Sequence, residues 1–229
     1  SHCKSRKAAH CFKILKEMQE KNIEVTTVAY TTILDSLYKE KKAQEAEKLW
    51  KEMTLKGVPL DVPAYNVRVM HKALSGGKPE GLLKVVEEME AAGLKPDTIT
   101  YNYLIVCYCG YGKFAEAKKV YEGLREKGCE PNYTTYKGYI MALCKKGDLD
   151  GALKVFNEAL KQKKVPDLGA VRMLVDGLVK GKKVRAAKRV VTGLRKKFCE
   201  DFVGGWLELE KVVGLNKEGE KEDEEAAAA

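Results

Sequence analysis

The side chains that could do covalent or metal chemistry are few in this chain and poorly spaced for it. Seven cysteines, Cys3, Cys11, Cys107, Cys109, Cys129, Cys144 and Cys199, are odd in number and show no regular pairing. They do not read as a disulfide framework, and a reducing compartment fits them better. Cys107-Tyr-Cys109 is the one close pair, and a zinc site there would need two further ligands that His2, His10 and His71 do not supply. The cysteines read instead as small apolar side chains in helix packing, so no metal and no cofactor are expected. The chain has no His-x-Glu with Cys-x-x-Cys for zinc deamination. Its C-terminal acids sit in a low-complexity tail that reads as a solubilising extension, with no cluster to hold catalytic metals. Neither an enzyme nor a small-molecule substrate is expected.

Charge is the chemistry that remains. The 229 residues carry 42 Lys and Arg against 33 Asp and Glu, a net charge of +9 with a pI near 9.0. From Asn216 onward six acids meet two lysines, so the tail holds −4 and residues 1–215 hold +13. A basic body of this kind points to a polyanionic partner. With 45% hydrophobic residues the chain can bury a core, and no run approaches the ~18 apolar residues of a membrane span. A soluble protein without a membrane partner is expected.

The elements that must position these charges follow from an internal period. Tyr30, Tyr65, Tyr101, Tyr136 and Val171 fall in register at spacings of 35, 36, 35 and 35 residues. Val25-Thr26, Leu60-Asp61, Pro96-Asp97, Pro131-Asn132 and Pro166-Asp167 repeat in step just ahead of them. Within each unit apolar residues recur at helical spacing, as in Tyr30, Ile33, Leu34 and Leu37, in Tyr101, Leu104, Ile105 and Tyr108, and in Tyr136, Tyr139, Ile140 and Leu143. After a polar break such as Lys146-Gly147-Asp148, in which Asp148 can cap the next helix, a second stripe follows. Ala117, Val120, Tyr121 and Leu124 form one such stripe; Ala152, Val155, Phe156 and Ala159 form another. Gly57, Gly93 and Gly128, with Asn22 in the first unit, stand where a left-handed residue closes a helix.

A single helical hairpin of ~35 residues cannot bury both stripes, so the hairpins must stack. The fold class is therefore all-α, an α-α superhelix: a right-handed solenoid of hairpins with a continuous concave face. A partial unit covers 1–26, and full units run 27–61, 62–97, 98–132, 133–167 and 168–202. Residues 203–215, with Trp206, Leu207, Leu209, Val212 and Val213, read as a helix that caps the stack, and 216–229 as an acidic disordered tail. The chain opens at Ser1 inside a repeat, so any targeting peptide has been removed or was never included.

Thr100-Tyr101-Asn102-Tyr103-Leu104-Ile105, Ala142-Leu143-Cys144-Lys145-Lys146-Gly147 and Gly93-Leu94-Lys95-Pro96-Asp97 resemble the consensus of the pentatricopeptide repeat, in its P-class form. The resemblance covers residues 1–202. Tetratricopeptide repeats, with 34 residues and a Trp-Leu-Gly signature, fit less well. The resemblance implies an organellar protein that binds single-stranded RNA with one nucleotide per repeat. It assigns base reading to the fifth and last residues of a unit, which here are Thr31 with Asp61, Asn66 with Asp97, and Asn102 with Asn132. By the family rule these pairs select guanine, uracil and cytosine in turn. It assigns base stacking to the second residues, Val28, Pro63 and Ile99.

Towards the C-terminus the pattern departs. Lys137 with Asp167 and Arg172 with Phe202 do not fit the code, and Thr134 and Gly169 are poor wedges. Lys137 and Arg172 are expected to meet phosphate or protein instead. Lys39, Lys145 and Lys180 recur near the end of the first helix, where the family contacts the RNA backbone. Arg68 interrupts an apolar stripe, either as a phosphate contact or because an extra residue around Gly76-Gly77 shifts the helix.

Two functions follow from the resemblance. One is a mitochondrial factor, with the chloroplast as alternative, that stabilises, processes or activates translation of a transcript by occupying single-stranded RNA. The other is a structural subunit of a plant mitochondrial ribosome in contact with ribosomal RNA and mitochondrial ribosomal proteins.

Overall fold

Stripes of apolar residues three and four apart become helices that bury one side, and the chain is all-α. The computed structural model describes residues 6–21, 23–197 and 203–214. In order, these residues form α1 (Arg6–Glu20), the hairpins α2 (Thr27–Lys39) with α3 (Ala43–Leu55), α4 (Val62–Leu74) with α5 (Pro79–Ala91), and α6 (Thr98–Gly110) with α7 (Phe114–Glu122), then α8 (Tyr133–Lys146) with α9 (Leu149–Lys161), α10 (Leu168–Lys180) with α11 (Val184–Lys197), and α12 (Val203–Val213).

Helix starts are set by side-chain oxygens. Thr26, Asp61, Asp97, Asn132, Asp148 and Asp167 each accept a hydrogen bond from the backbone N–H three residues on, and α6 and α8 open with reciprocal capping boxes made with Thr100 and Thr135. Each such cap contributes about 1 kcal/mol. Helix ends are set by left-handed residues. Gly57 and Gly93 stand just past the ends of α3 and α5 at φ of 65° and 76°, Gly128 ends the turn that follows α7 at φ 74°, and Gly147 closes α8 at φ 84°. Lys41, Lys163 and Lys182 hold the same conformation without being glycine, at φ of 62°, 56° and 58°. The extra residue of the second full repeat is absorbed in the turn after α4, where a Cβ on Gly77 would lie 2.6 Å from the Lys72 carbonyl oxygen. The helix itself keeps its register, with Tyr65 and Val69 buried.

Residues up to Val120 form one compact unit and those from Tyr121 a second. In the first, α2 packs on α4 and α4 on α6, so first helices stack side by side while α3 and α5 cover them. Leu34, Leu37, Leu49, Met53, Leu82, Met89 and Ile105 are fully buried between these layers, each worth about 1.5–3 kcal/mol relative to exposure. In the second, α10 packs on α8, α9 and α11, and α12 packs on α10 and α11. Leu209 and Val213 of α12 are buried 35 positions after Leu174 and Leu178, so α12 stands where a further first helix would. Glu158 ties hairpins together here, accepting from the Tyr121 hydroxyl at 2.9 Å, the Arg125 guanidinium at 2.7 Å and the Tyr136 hydroxyl at 3.3 Å. Burial, together with that carboxylate, pushes the Tyr136 hydroxyl up to about 12.

Among the described residues no helix is long and apolar enough to cross a membrane. Asn22, Phe202 and residues 215–229 lie outside the described residues, as do the side chains of Trp206 and Leu207.

Candidate nucleic-acid interface

The second residue of every repeat sits in the first turn of its first helix and points to solvent. Val28 is 69% exposed and Ile99 47%, and Pro63, Thr134 and Gly169 are exposed as well. Proline costs nothing at such a site, because the first-turn N–H has no helical partner.

The fifth residue lies one turn further on and is more enclosed. Asn66 and Asn102 are 8% and 6% exposed, Thr31 is half-buried, and its hydroxyl meets no hydrogen-bond partner among the described residues. The last residue of each repeat is the N-cap of the next first helix: Asp61 for α4, Asp97 for α6, Asn132 for α8 and Asp167 for α10. One side-chain oxygen is thereby committed to backbone. At Asp97 and Asp167 the carboxylate also meets the fifth residue of its own repeat, Asn66 and Lys137.

In the first unit the structure brings Asn66 and Asp97 together. The Asn66 amide donates to both carboxylate oxygens of Asp97, at 3.1 and 3.2 Å, while the Thr100 hydroxyl donates to the Asn66 carbonyl oxygen at 2.6 Å. These bonds fix which end of the amide faces which way. Asp61 accepts from the Ala64 N–H at 2.9 Å as a cap. Asn102 belongs to the first unit and Asn132 to the second.

In the second unit Lys137 forms an ion pair with Asp167, so the fifth and last residues again meet, now as opposite charges. The Lys137 ammonium holds the Asp167 carboxyl below the usual carboxylate range, and Asp167 in turn raises Lys137. Arg172 is bound to Glu208 of α12 at 2.9 Å and lies 3.9 Å from Asp176. Of the recurrent lysines, Lys39 is paired with Asp35 on its own helix, whereas Lys145 and Lys180 are exposed.

Arg68 is buried between two glutamates, and its helix is not shifted. It occupies the repeat position filled elsewhere by Ile33, Leu104, Tyr139 and Leu174, all buried, and is itself 7% exposed. Its guanidinium reaches Glu47 of α3 at 3.1 Å and Glu88 of α5 at 2.9 Å, and lies 4.4 Å from the Trp50 ring centroid. Tyr38 donates to the other oxygen of Glu47 at 2.9 Å and stacks on His71 with centroids 4.0 Å apart. This cluster clamps neighbouring second helices. Glutamates 21 and 20 residues away from Arg68 give no local signal.

Cys107 and Cys144 are poorly reactive thiols, their pKa raised by burial. Cys107 is buried and donates to the Gly77 carbonyl at 3.3 Å, and burial pushes the Cys144 thiol up to about 11. Among the described residues no three His, Cys, Asp or Glu side chains group to hold a metal ion.

A stack of helical hairpins with this recurring first-turn geometry defines a class of repeat protein, and sequence comparison places the chain in it. Residues 25–74 and 96–145 match the PPR repeat family and residues 1–23 and 134–163 match the PPR repeat. The chain belongs to the pentatricopeptide repeat family. It is similar to the small ribosomal subunit protein mL103 (rPPR7) of Arabidopsis thaliana, 42% identical over 94% of this chain and 52% of the relative. It is equally similar to a mitochondrial pentatricopeptide repeat-containing protein of the same plant, 43% identical over 96% of this chain and 51% of that protein. The chain thus spans about half the length of these curated relatives. Among solved structures, maize PPR10 matches with a TM-score of 0.62 at 17% identity, over 86% of this chain and 27% of that one, which establishes the fold.

Proposed function

We propose that this chain is part of a mitochondrial protein that holds single-stranded RNA along its first helices and acts in mitochondrial gene expression by occupancy, without catalysis. The observation that carries this is the repeated pairing of an exposed second residue with an enclosed polar fifth residue beside the next helix cap, seen most fully in Pro63, Asn66 and Asp97. A base can stack against the aliphatic group while its hydrogen-bonding edge meets the amide or carboxylate. Thr31 with Asp61, Asn66 with Asp97 and Asn102 with Asn132 are the proposed readers, Val28, Pro63 and Ile99 the proposed wedges, and Lys145 and Lys180 the proposed backbone contacts. The mitochondrial assignment rests on the two relatives above.

A second reading, a structural subunit of a mitochondrial ribosome, is favoured by the mL103 relative and by the two last repeats. There Lys137 and Arg172 are engaged by Asp167 and Glu208 and present no reading pair. Salt-titrated binding of roughly 12–20-nucleotide RNAs separates the two readings. Preference for a GUC-like core supports the first. A steep salt slope without preference, together with co-sedimentation with mitochondrial ribosomes after nuclease treatment, supports the second. Absence of single-strand binding at low salt would contradict the first outright.

A further inference from the structure

Helix α11 differs in charge from every other second helix. α5 carries four glutamates against one lysine, and α9 balances two acids with two lysines. α11 carries Arg185, Lys188, Arg189, Arg195, Lys196 and Lys197 with no acid at all. At 3.6 residues per turn, the buried residues Ala187, Val190, Val191 and Leu194 form one stripe, and Arg185, Arg189 and Lys196 fall together on the opposite side with Lys188 at its edge. Arg185, Arg189 and Lys196 are exposed. The nearby acids are taken by other partners: Asp150 by Lys183, Asp167 by Lys137, and Asp176 and Glu208 by Arg172. Among the described residues no carboxylate pairs with Arg185, Lys188, Arg189 or Lys196. Like charges this close repel, so the arrangement adds nothing to helix stability.

We infer that this side of α11 is a phosphate-binding surface for base-paired RNA, separate from the first-helix surface. Three alternatives fit the residues less well. Single-stranded nucleic acid needs apolar or aromatic groups on which bases stack, and the exposed residues of α11 beyond Val184 are all Arg or Lys. A protein partner needs a large apolar or aromatic anchor, and the only exposed large hydrophobic of α11 is Val184 at its start, 41% exposed. An anionic membrane would need the apolar side of the helix, which is buried in the core. What the surface offers is a row of cations about 16 Å long. Duplex RNA presents regularly spaced phosphates and is recognised by shape and backbone without sequence reading. Such a surface does not depend on single-strand reading by the first helices.

The test uses the whole chain with two probes, a random-sequence RNA duplex and a single-stranded RNA with a GUC-like core. Changing Arg185→Ser, Arg189→Ser and Lys196→Ser together is expected to weaken duplex binding about tenfold or more and to reduce the log–log salt slope by about three. Single-strand affinity should change by less than about threefold, whereas Asn102→Ala should do the reverse. The pair Arg185→Lys and Arg189→Lys keeps the charge and should retain duplex binding, which covers the case in which the serine variant fails to fold. Unchanged duplex affinity and slope in the serine variant, at an unchanged melting temperature, would overturn the inference. So would an equal loss of binding to polyglutamate, because the surface would then belong to an acidic protein.

Discussion

The Asp97 carboxylate accepts from the Asn66 amide and from the Thr100 backbone N–H at once, so one side chain both starts α6 and completes the polar pair of the preceding repeat. Capping and the proposed base reading therefore fall on the same side chain, Asp97. That residue must be a short acceptor for the helix, and which acceptor it is remains open to the ligand.

Serine at this site keeps the cap and removes the carboxylate. Asp97→Ser should stay within about 0.5 kcal/mol of the parent, whereas Asp97→Ala should lose about 1 kcal/mol or more with the cap. Both should erase discrimination at a single nucleotide. Urea unfolding and competition between RNAs differing at one position give the two readouts, and a serine variant as unstable as the alanine one would contradict the assignment of that stability to the cap.

Arg68 sits between two glutamates that are themselves half-exposed, at 44% and 54% of their side chains. Removing it with Arg68→Ala leaves a cavity beside Trp50 and two unpaired acids, at a cost of about 2–3 kcal/mol once solvent screening is allowed for. Arg68→Met fills the space and should cost less. RNA affinity should be unchanged for both, and a loss of affinity at full stability would show that the guanidinium meets phosphate after all.

Lysine in the left-handed region carries Cβ strain that glycine does not. Lys41→Gly, Lys163→Gly and Lys182→Gly should each stabilise the chain by about 0.5–1 kcal/mol, the relief of strain outweighing the added freedom of the unfolded state. Gly147→Ala, at φ 84°, should destabilise by about 1 kcal/mol or more. Thermal melts of the four variants are sufficient.

Burial lowers the pKa of His71 below its ordinary 6.5, against a smaller opposing effect of Glu47. The unfolded chain then takes up a proton before the folded one does. Stability contributed by the neutral ring is complete above about pH 7 and declines as pH falls through 6.5 towards the folded value. His71→Phe keeps the stack on Tyr38 and should flatten the melting temperature between about pH 7 and 5. A parent melting temperature that rises over that descent would reverse the sign and refute the assignment.

The hairpin array is legible in the sequence because its signals are local and recur. Tyr30, Tyr65, Tyr101 and Tyr136 mark the first helix of four repeats, and Asp148 and Gly147 mark a start and a stop whose chemistry needs no partner beyond its neighbours. The same series reaches Trp206, one period after Val171, which places α12 in the register of a further first helix. What escapes the sequence depends on distant partners or on rule-breaking backbone. Arg68 looks like a defect in an apolar stripe until Glu47, Glu88 and Trp50 are seen around it. Lys41, Lys163 and Lys182 stand where glycine is the expected residue, whereas the repeat register already sets Lys137 beside Asp167 and leaves only their ion pair to the structure. The pairing of Lys39 with Asp35, four residues apart on one helix, was within reach of the spacing rules.

The most direct measurement is a titration of the 15N-labelled chain with a single-stranded GUC-containing RNA, following the side-chain amide signals of Asn66, Asn102 and Asn132. If bases dock beside the helix caps, these signals shift and saturate together, and an RNA changed at the matching nucleotide leaves the corresponding amide unmoved. Shifts confined to residues of the second helices, with all three amides silent, would contradict the account.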